Sequence, residues 1–302
     1  MKVIKPLPVT DTVLITSNVP EDDAATWLIG TTYAVDDDVM LDHRVYRSVI
    51  DSNTGNDPRT DDGTNWLDMG FNNRWRSFDT KIHQLTSQLD TITYELVFDK
   101  PVSGIALLNV GAAIVDVTIT DSSANVIYTR TINRFTNSAI VDYWTFFTTD
   151  ISLEDVGDTI FDDVLGYPGN TVTITLSAVN ASSIVSIGQI LLGPTYVLGE
   201  TLTNTTIGIR DFSTKERDAF GNAIIVERAF ADTTTFQFYL RTEDGRRVRN
   251  ILSSLRAYPS LYFISADAVG YGAQTYGFFQ DFDIPLSASG ASFANLKVEG
   301  LA

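Results

Sequence analysis

At 302 residues, 44% of them hydrophobic and with a mean hydropathy of +0.03, the chain has the composition of a globular protein with room for two or three domains. A formal net charge of −17 and a pI near 4.3 disfavour nucleic-acid binding, which needs Lys and Arg to neutralise phosphates. There is no cysteine, and His43 and His83 are the only histidines, so disulfides, thiolate metal sites and thiol nucleophiles are excluded and few imidazole bases remain.

The opening stretch "MKVIKPLPVTDTVLITSNVP" is broken by prolines and polar residues, and no run approaches the ~18 apolar residues of a membrane span. Neither a Sec signal nor a spanning segment is expected. From Trp27 to Trp66 the chain is acidic and turn-rich, yet it carries Tyr33 and Tyr46 between the two tryptophans. Such rings either form the core of a small β module or face outward to stack on a ligand. Trp at both ends of the segment is expected to close the core, leaving Tyr33 and Tyr46 the better candidates for partial exposure. Within it, "DSNTGNDPRTDD" from Asp51 invites an EF-hand reading. Its glycine, Gly55, falls at the fifth loop position in place of the sixth and no glutamate closes the loop, so it reads as a turn.

Beyond Gly70, period-2 alternation dominates in "TITYELVF", "VDVTIT", "VIYTRTI", "TVTITL" and "TTFQFYL", each bounded by turn residues such as "DKPVSG", "DSSAN" and "YPGN". Trp75 and Phe78 read as core. The exception is "EDGRRVRNILSSLRAYP", where Val248, Ile251, Leu252 and Leu255 recur at helical spacing, with Asp244 as a plausible N-cap and Pro259 as a stop. The fold class expected is all-β: a multi-domain β-sandwich or jelly roll, a small module, and a C-terminal β domain carrying one amphipathic helix. The boundaries fall at residues 1–23 (an arm joining the C-terminal domain), 24–70 (the module), 71–198 (the sandwich) and 199–302 (an assembly domain).

Three resemblances attach to these pieces. Trp27, Tyr33, Asp38-Val39, Tyr46, Asn53, Pro58 and Trp66 resemble the pattern of small chitin- and cellulose-binding modules, with Asp37 where that pattern has glycine. The resemblance makes Trp27, Tyr33, Tyr46 and Trp66 candidate sugar-binding residues, the other reading being a spacer or partner surface. Residues 71–198 resemble galactose-binding-like jelly rolls. The third piece, "GIRDFSTKERDAFGNAIIVERAF" through "YGFFQDFDIPLSASGASFANLKVEGLA", resembles the C-terminal part of tail proteins from long-tailed bacteriophages, at Gly208, Asp211, Ser213, Lys215, Glu216, Asp218, Gly221, Arg228, Phe278, Asp281, Phe282, Glu299, Gly300 and Leu301. The start of the chain resembles the start of the same proteins.

That resemblance implies a non-enzymatic tail-tip or baseplate component of distal-tail type, located in the virion and assembled in the host cytoplasm. Its partners would be itself, as a hexamer first and a trimer second, other tail-tip and tail-tube proteins, and a host surface glycan. The alternating charges of "RDFSTKERD" make Asp211, Lys215, Glu216, Arg217, Asp218 and Arg228 the candidate assembly interface, with charge reversal at Lys215 or Arg217 expected to block incorporation. The alternatives are a carbohydrate-binding accessory protein of a glycan-active enzyme and a head or neck decoration protein. No catalytic residue, metal site or cofactor is expected.

Overall fold

The computed structural model describes residues 1–136, 142–148, 152–153, 157–202, 204–217, 220–265, 273–284 and 291–301. Strands take up 52% of the chain and form several antiparallel sheets, so the protein is a multi-sheet β protein.

Alternating sequence becomes alternating burial in the central sandwich. Thr91–Val97, Ile114–Thr120 and Thr171–Ser177 each bury every second residue. Thr171–Ser177 lies between the other two, Val126–Asn133 extends the sheet beyond Ile114–Thr120, and Leu14–Ser17 caps the free edge of Thr91–Val97. The facing sheet has three strands: Gly157–Phe161, Gly104–Val110 and Gln189–Gly193. Ile92, Tyr94, Leu96, Val117, Ile174 and Leu176 pack across the gap against Ile105, Leu107, Phe161 and Leu192.

The middle strand of that facing sheet, "GIALLNV", is nearly continuously apolar because both of its faces are covered. Ile105 and Leu107 enter the sandwich core, while Ala106 and Leu108 pack outward with Ile4, Ile160, Leu191, Leu261, Phe263 and Tyr276. The sandwich and the terminal sheet therefore share an apolar layer.

The terminal sheet gathers both ends of the chain. Its order is Thr195–Val197, Lys2–Ile4, Ser260–Phe263, Gln274–Asp283, Ala291–Gly300 and Phe230–Arg241, with Glu200–Thr201 and Thr206–Asp211 both on the outer edge of Phe230–Arg241. Residues 1–23 thus do more than join the C-terminal domain: Lys2–Ile4 pairs there, while Leu14–Ser17 pairs in the sandwich. The segment offers two short strands, and each fills a different free sheet edge.

Helix Gly245–Leu255 lays Val248, Leu252 and Leu255 on Phe236, Phe238, Leu296 and Val298. Its start departs from expectation. Asp244 makes no cap bond, because its Oδ1 accepts from Arg247 Nε at 3.1 Å instead.

The module is a small sheet of Ala25–Thr26, Asp38–Leu41, Arg44–Ser48 and Trp66–Phe71. Asp42 and His43, both at positive φ (49° and 64°), form the two-residue turn between its central strands.

Candidate functional site

Two regions carry the residues singled out in the sequence, and they differ in where their apolar atoms point. In the module, Tyr33 is 8% exposed, Tyr46 6% and Trp66 2%, and all three pack with Val39. The Tyr33 and Trp66 rings meet edge to face at 5.4 Å between centroids. The polar tips of Tyr33 and Trp66 are satisfied internally: the Leu28 amide donates to Tyr33 Oη at 2.8 Å, and Trp66 Nε1 donates to the Asn56 carbonyl at 2.9 Å. Burial, with the nearby Asp68 carboxylate, pushes the Tyr46 phenol above its ordinary range.

The expectation that Tyr33 and Tyr46 are the partly exposed rings is therefore corrected. The half-buried ring is Trp27, which packs at the edge of this cluster. A segment this short has no other bulk with which to exclude water, so Tyr33, Tyr46 and Trp66 turn inward. The apolar groups left outside are mainly aliphatic, Leu28, Ile29, Leu67 and Met69, and none of these offers a flat ring to a pyranose.

The acidic loop of the module uses its carboxylates on its own chain. Asp61 accepts from the amides of Gly63, Asn65 and Trp66, and Asp57 takes the Arg59 guanidinium at 2.6 Å. These bonds draw both carboxyls below the ordinary range, for Asp57 chiefly through Arg59 and for Asp61 through Trp66 and Asn65 against the opposing effect of burial.

The second region is an arm projecting from the outer edge of the terminal sheet. Thr206–Asp211 runs along Phe230–Thr235, and beyond it Thr214–Arg217 and Ala223–Val226 pair, among the described residues, only with each other. The turn is at Phe220-Gly221, where φ of +89° suits glycine. Phe220 is 91% exposed, Ile225 67% and Ile209 69%, with Ile224 and Val226 also open.

The charged residues proposed for this interface divide into groups. Lys215 Nζ donates to Asp211 at 2.6 Å within the arm itself, holding that carboxyl well below its usual range. Arg217 donates to the Gly221 carbonyl at 3.2 Å. The Arg228 amide donates to Ser213 Oγ at 3.1 Å, and Glu216 and Arg228 are exposed. Asp218 lies outside the described residues. Charge was the signal read from the sequence, and the arm exposes apolar side chains beside those charges. The "AIIV" run beside a Gly-Asn turn carried the apolar signal in the sequence.

A cavity of about 210 Å³ lies between the sandwich and the terminal sheet, lined by His83, Asp158, Asp232, Gln274 and Tyr276 among others. Asp158 accepts from the Asn109 amide at 2.9 Å and from Gln274 Nε2 at 2.7 Å. Burial raises its carboxyl against the opposing pull of those two bonds. It acts as a strap between strands.

No protein-family model, curated protein or solved structure matches the chain.

Proposed function

We propose that the chain is a structural, non-enzymatic subunit of a long-tailed bacteriophage tail tip, of distal-tail type, assembling with copies of itself into a ring. The observation that carries this reading is the arm. A two-stranded ribbon with Ile224, Ile225, Val226 and Phe220 in water is marginal as an isolated element, and it becomes stable when a partner covers it. A different surface of a neighbouring copy is a suitable cover, because a closed ring of three or six repeats one head-to-tail contact between two unlike surfaces. Both chain ends meeting in the terminal sheet gives that ring domain a rigid base, and the sandwich packed on it extends to one side.

On this reading the module is an outward spacer or partner surface, since Tyr33, Tyr46 and Trp66 are closed inside it. Six copies are the first choice and three the second.

Native mass spectrometry and electron microscopy of the purified chain test the proposal. Closed rings that disappear when residues 212–229 are deleted support it. A monomer at every concentration, or rings unaffected by the deletion, overturns it. Turnover of peptidoglycan, chitin or capsular polysaccharide, abolished by one Asp or Glu to Ala change, would overturn the non-enzymatic part.

A further inference from the structure

The module's hairpin turn points one of the two histidines into the junction with the rest of the chain. His43 Nε2 lies 2.7 Å from Asp11 Oδ1, and its Nδ1 lies 2.9 Å from Glu21 Oε2. The ring also stacks on Trp75 at 4.3 Å between centroids, tilted by 30°. These three partners come from outside the module, two from the N-terminal segment and one from the crossover into the sandwich.

An ionised carboxylate only accepts hydrogen bonds, and a neutral imidazole has a single N–H. With a carboxylate oxygen at bonding distance from each nitrogen, both contacts are satisfied only by the doubly protonated ring. In the neutral ring, one nitrogen lone pair would face an oxygen lone pair. The turn that presents His43 places two non-glycine residues at positive φ, a conformation that persists where surrounding contacts over-determine it.

The two carboxylates are held unequally. Glu21 also accepts from Asn72 Nδ2 at 2.8 Å, Arg74 at 2.8 Å and Trp75 Nε1 at 3.3 Å, and Arg74 Nε donates to the Val19 carbonyl at 2.5 Å. Burial raises the Glu21 carboxyl, but the bonds from His43, Asn72 and Trp75 outweigh it and leave it lowered. Asp11 sits on a loop with its side chain mostly in water. The other charges around the ring are engaged elsewhere: Asp42 with Arg59, Arg44 with Asp68, and Arg76 with Asp23. When the ring loses its second proton, Asp11 is therefore the partner that lets go.

We propose that His43 is a proton-dependent latch: as an imidazolium it ties the loop carrying Asp11 to the tip of the module, and on losing one proton it keeps Glu21 and releases that loop. The latch is closed while the ring carries both protons and open once it carries one. At the acid extreme, protonation of Glu21 would remove the other contact. The lowered Glu21 carboxyl pushes that loss to lower pH.

Amide hydrogen exchange on the full chain at pH 6 and pH 8.5, corrected for the intrinsic pH dependence of exchange, tests the latch. Loss of one hydrogen bond should raise the corrected exchange of residues 9–13 about five-fold at the higher pH. His43→Asn, which tolerates the left-handed backbone of the turn, should abolish the pH response. Asp11→Ala should leave the loop in fast exchange at both values, and His83→Asn should behave as wild type. In parallel, nitrogen NMR of the imidazole in His83→Asn should show both His43 ring nitrogens protonated at pH 6. Equal protection at the two pH values, a response that survives in His43→Asn, or a neutral His43 ring at pH 6 would overturn the proposal.

Discussion

The module and the arm are both short, turn-bounded and rich in large apolar side chains, yet they treat those side chains in opposite ways. The module turns Tyr33, Tyr46 and Trp66 inward and bonds the polar tips of Tyr33 and Trp66 to its own backbone. The arm leaves Ile224, Ile225 and Val226 in water on a two-stranded ribbon, with Phe220 exposed at its turn. Aromatic content is therefore a poor guide to which region leaves its apolar side chains exposed. What distinguishes them is closure: the module has a fourth strand and a turn that wrap its rings, and the arm hairpin has only two strands.

The largest expected effect is at Trp66. Its indole fills the module core and donates to Asn56, so Trp66→Ala should cost the module about 3–5 kcal/mol and unfold it locally. Hydrogen exchange should rise across residues 24–70 while the terminal sheet keeps its protection. A uniform loss of protection would show that the module and the rest of the chain unfold as one unit, and the contrast drawn here would break.

Next comes Ile225 in the arm. Replacing it with Asp should leave monomer stability within about 0.5 kcal/mol, as for exposed positions elsewhere. Self-association should weaken strongly, because a charge would enter the contact in place of an apolar group worth roughly 1.5–3 kcal/mol when buried. Thermal melting paired with native mass spectrometry separates the two readouts. A melting temperature that falls with no change in association would place Ile225 in the fold of the monomer.

A smaller effect is expected at Tyr33. Its hydroxyl accepts from the Leu28 amide at 2.8 Å, so Tyr33→Phe should destabilise the module by about 0.5–1.5 kcal/mol without opening it. A gain in affinity for chitin oligosaccharides in this variant would reverse the view that the ring is sealed.

The fold class was legible because alternation is a local property: "TITYELV" and "TVTITLS" bury every second residue whatever lies around them. The helix was legible for the same reason, at Val248, Leu252 and Leu255. The orientation of Tyr33 was not, because it sits in the two-residue strand Thr32–Tyr33, too short for a period to be read. The latch residues were illegible as a group, since Asp11, Glu21, His43 and Trp75 meet only through tertiary packing. In the arm, "RDFSTKERD" drew attention to charge, and the exposure of "AIIV" follows from the lack of any sheet against it.

The smallest effect on the fold is expected at Lys215, where the comparison becomes sharpest. Its ammonium lies on Asp211 four residues earlier, both groups are exposed to water, and such pairs are screened and add little to stability. The side-chain bond from Lys215 is nonetheless the main reason that the Asp211 carboxyl is lowered, with Ser213 adding to it. For a lowered carboxyl, the contribution is present above the unfolded-state value and disappears as pH falls through the folded-state one. Lys215→Met should therefore move the Asp211 titration up toward the ordinary carboxylate range, read by NMR, and remove this acid-side dependence. The melting temperature at neutral pH should not change. Rings should still form, because the salt bridge lies within one arm and the proposed contact between copies rests on Ile225 and its apolar neighbours. Loss of rings in Lys215→Met together with their survival in Ile225→Asp would return the assembly role to the charges.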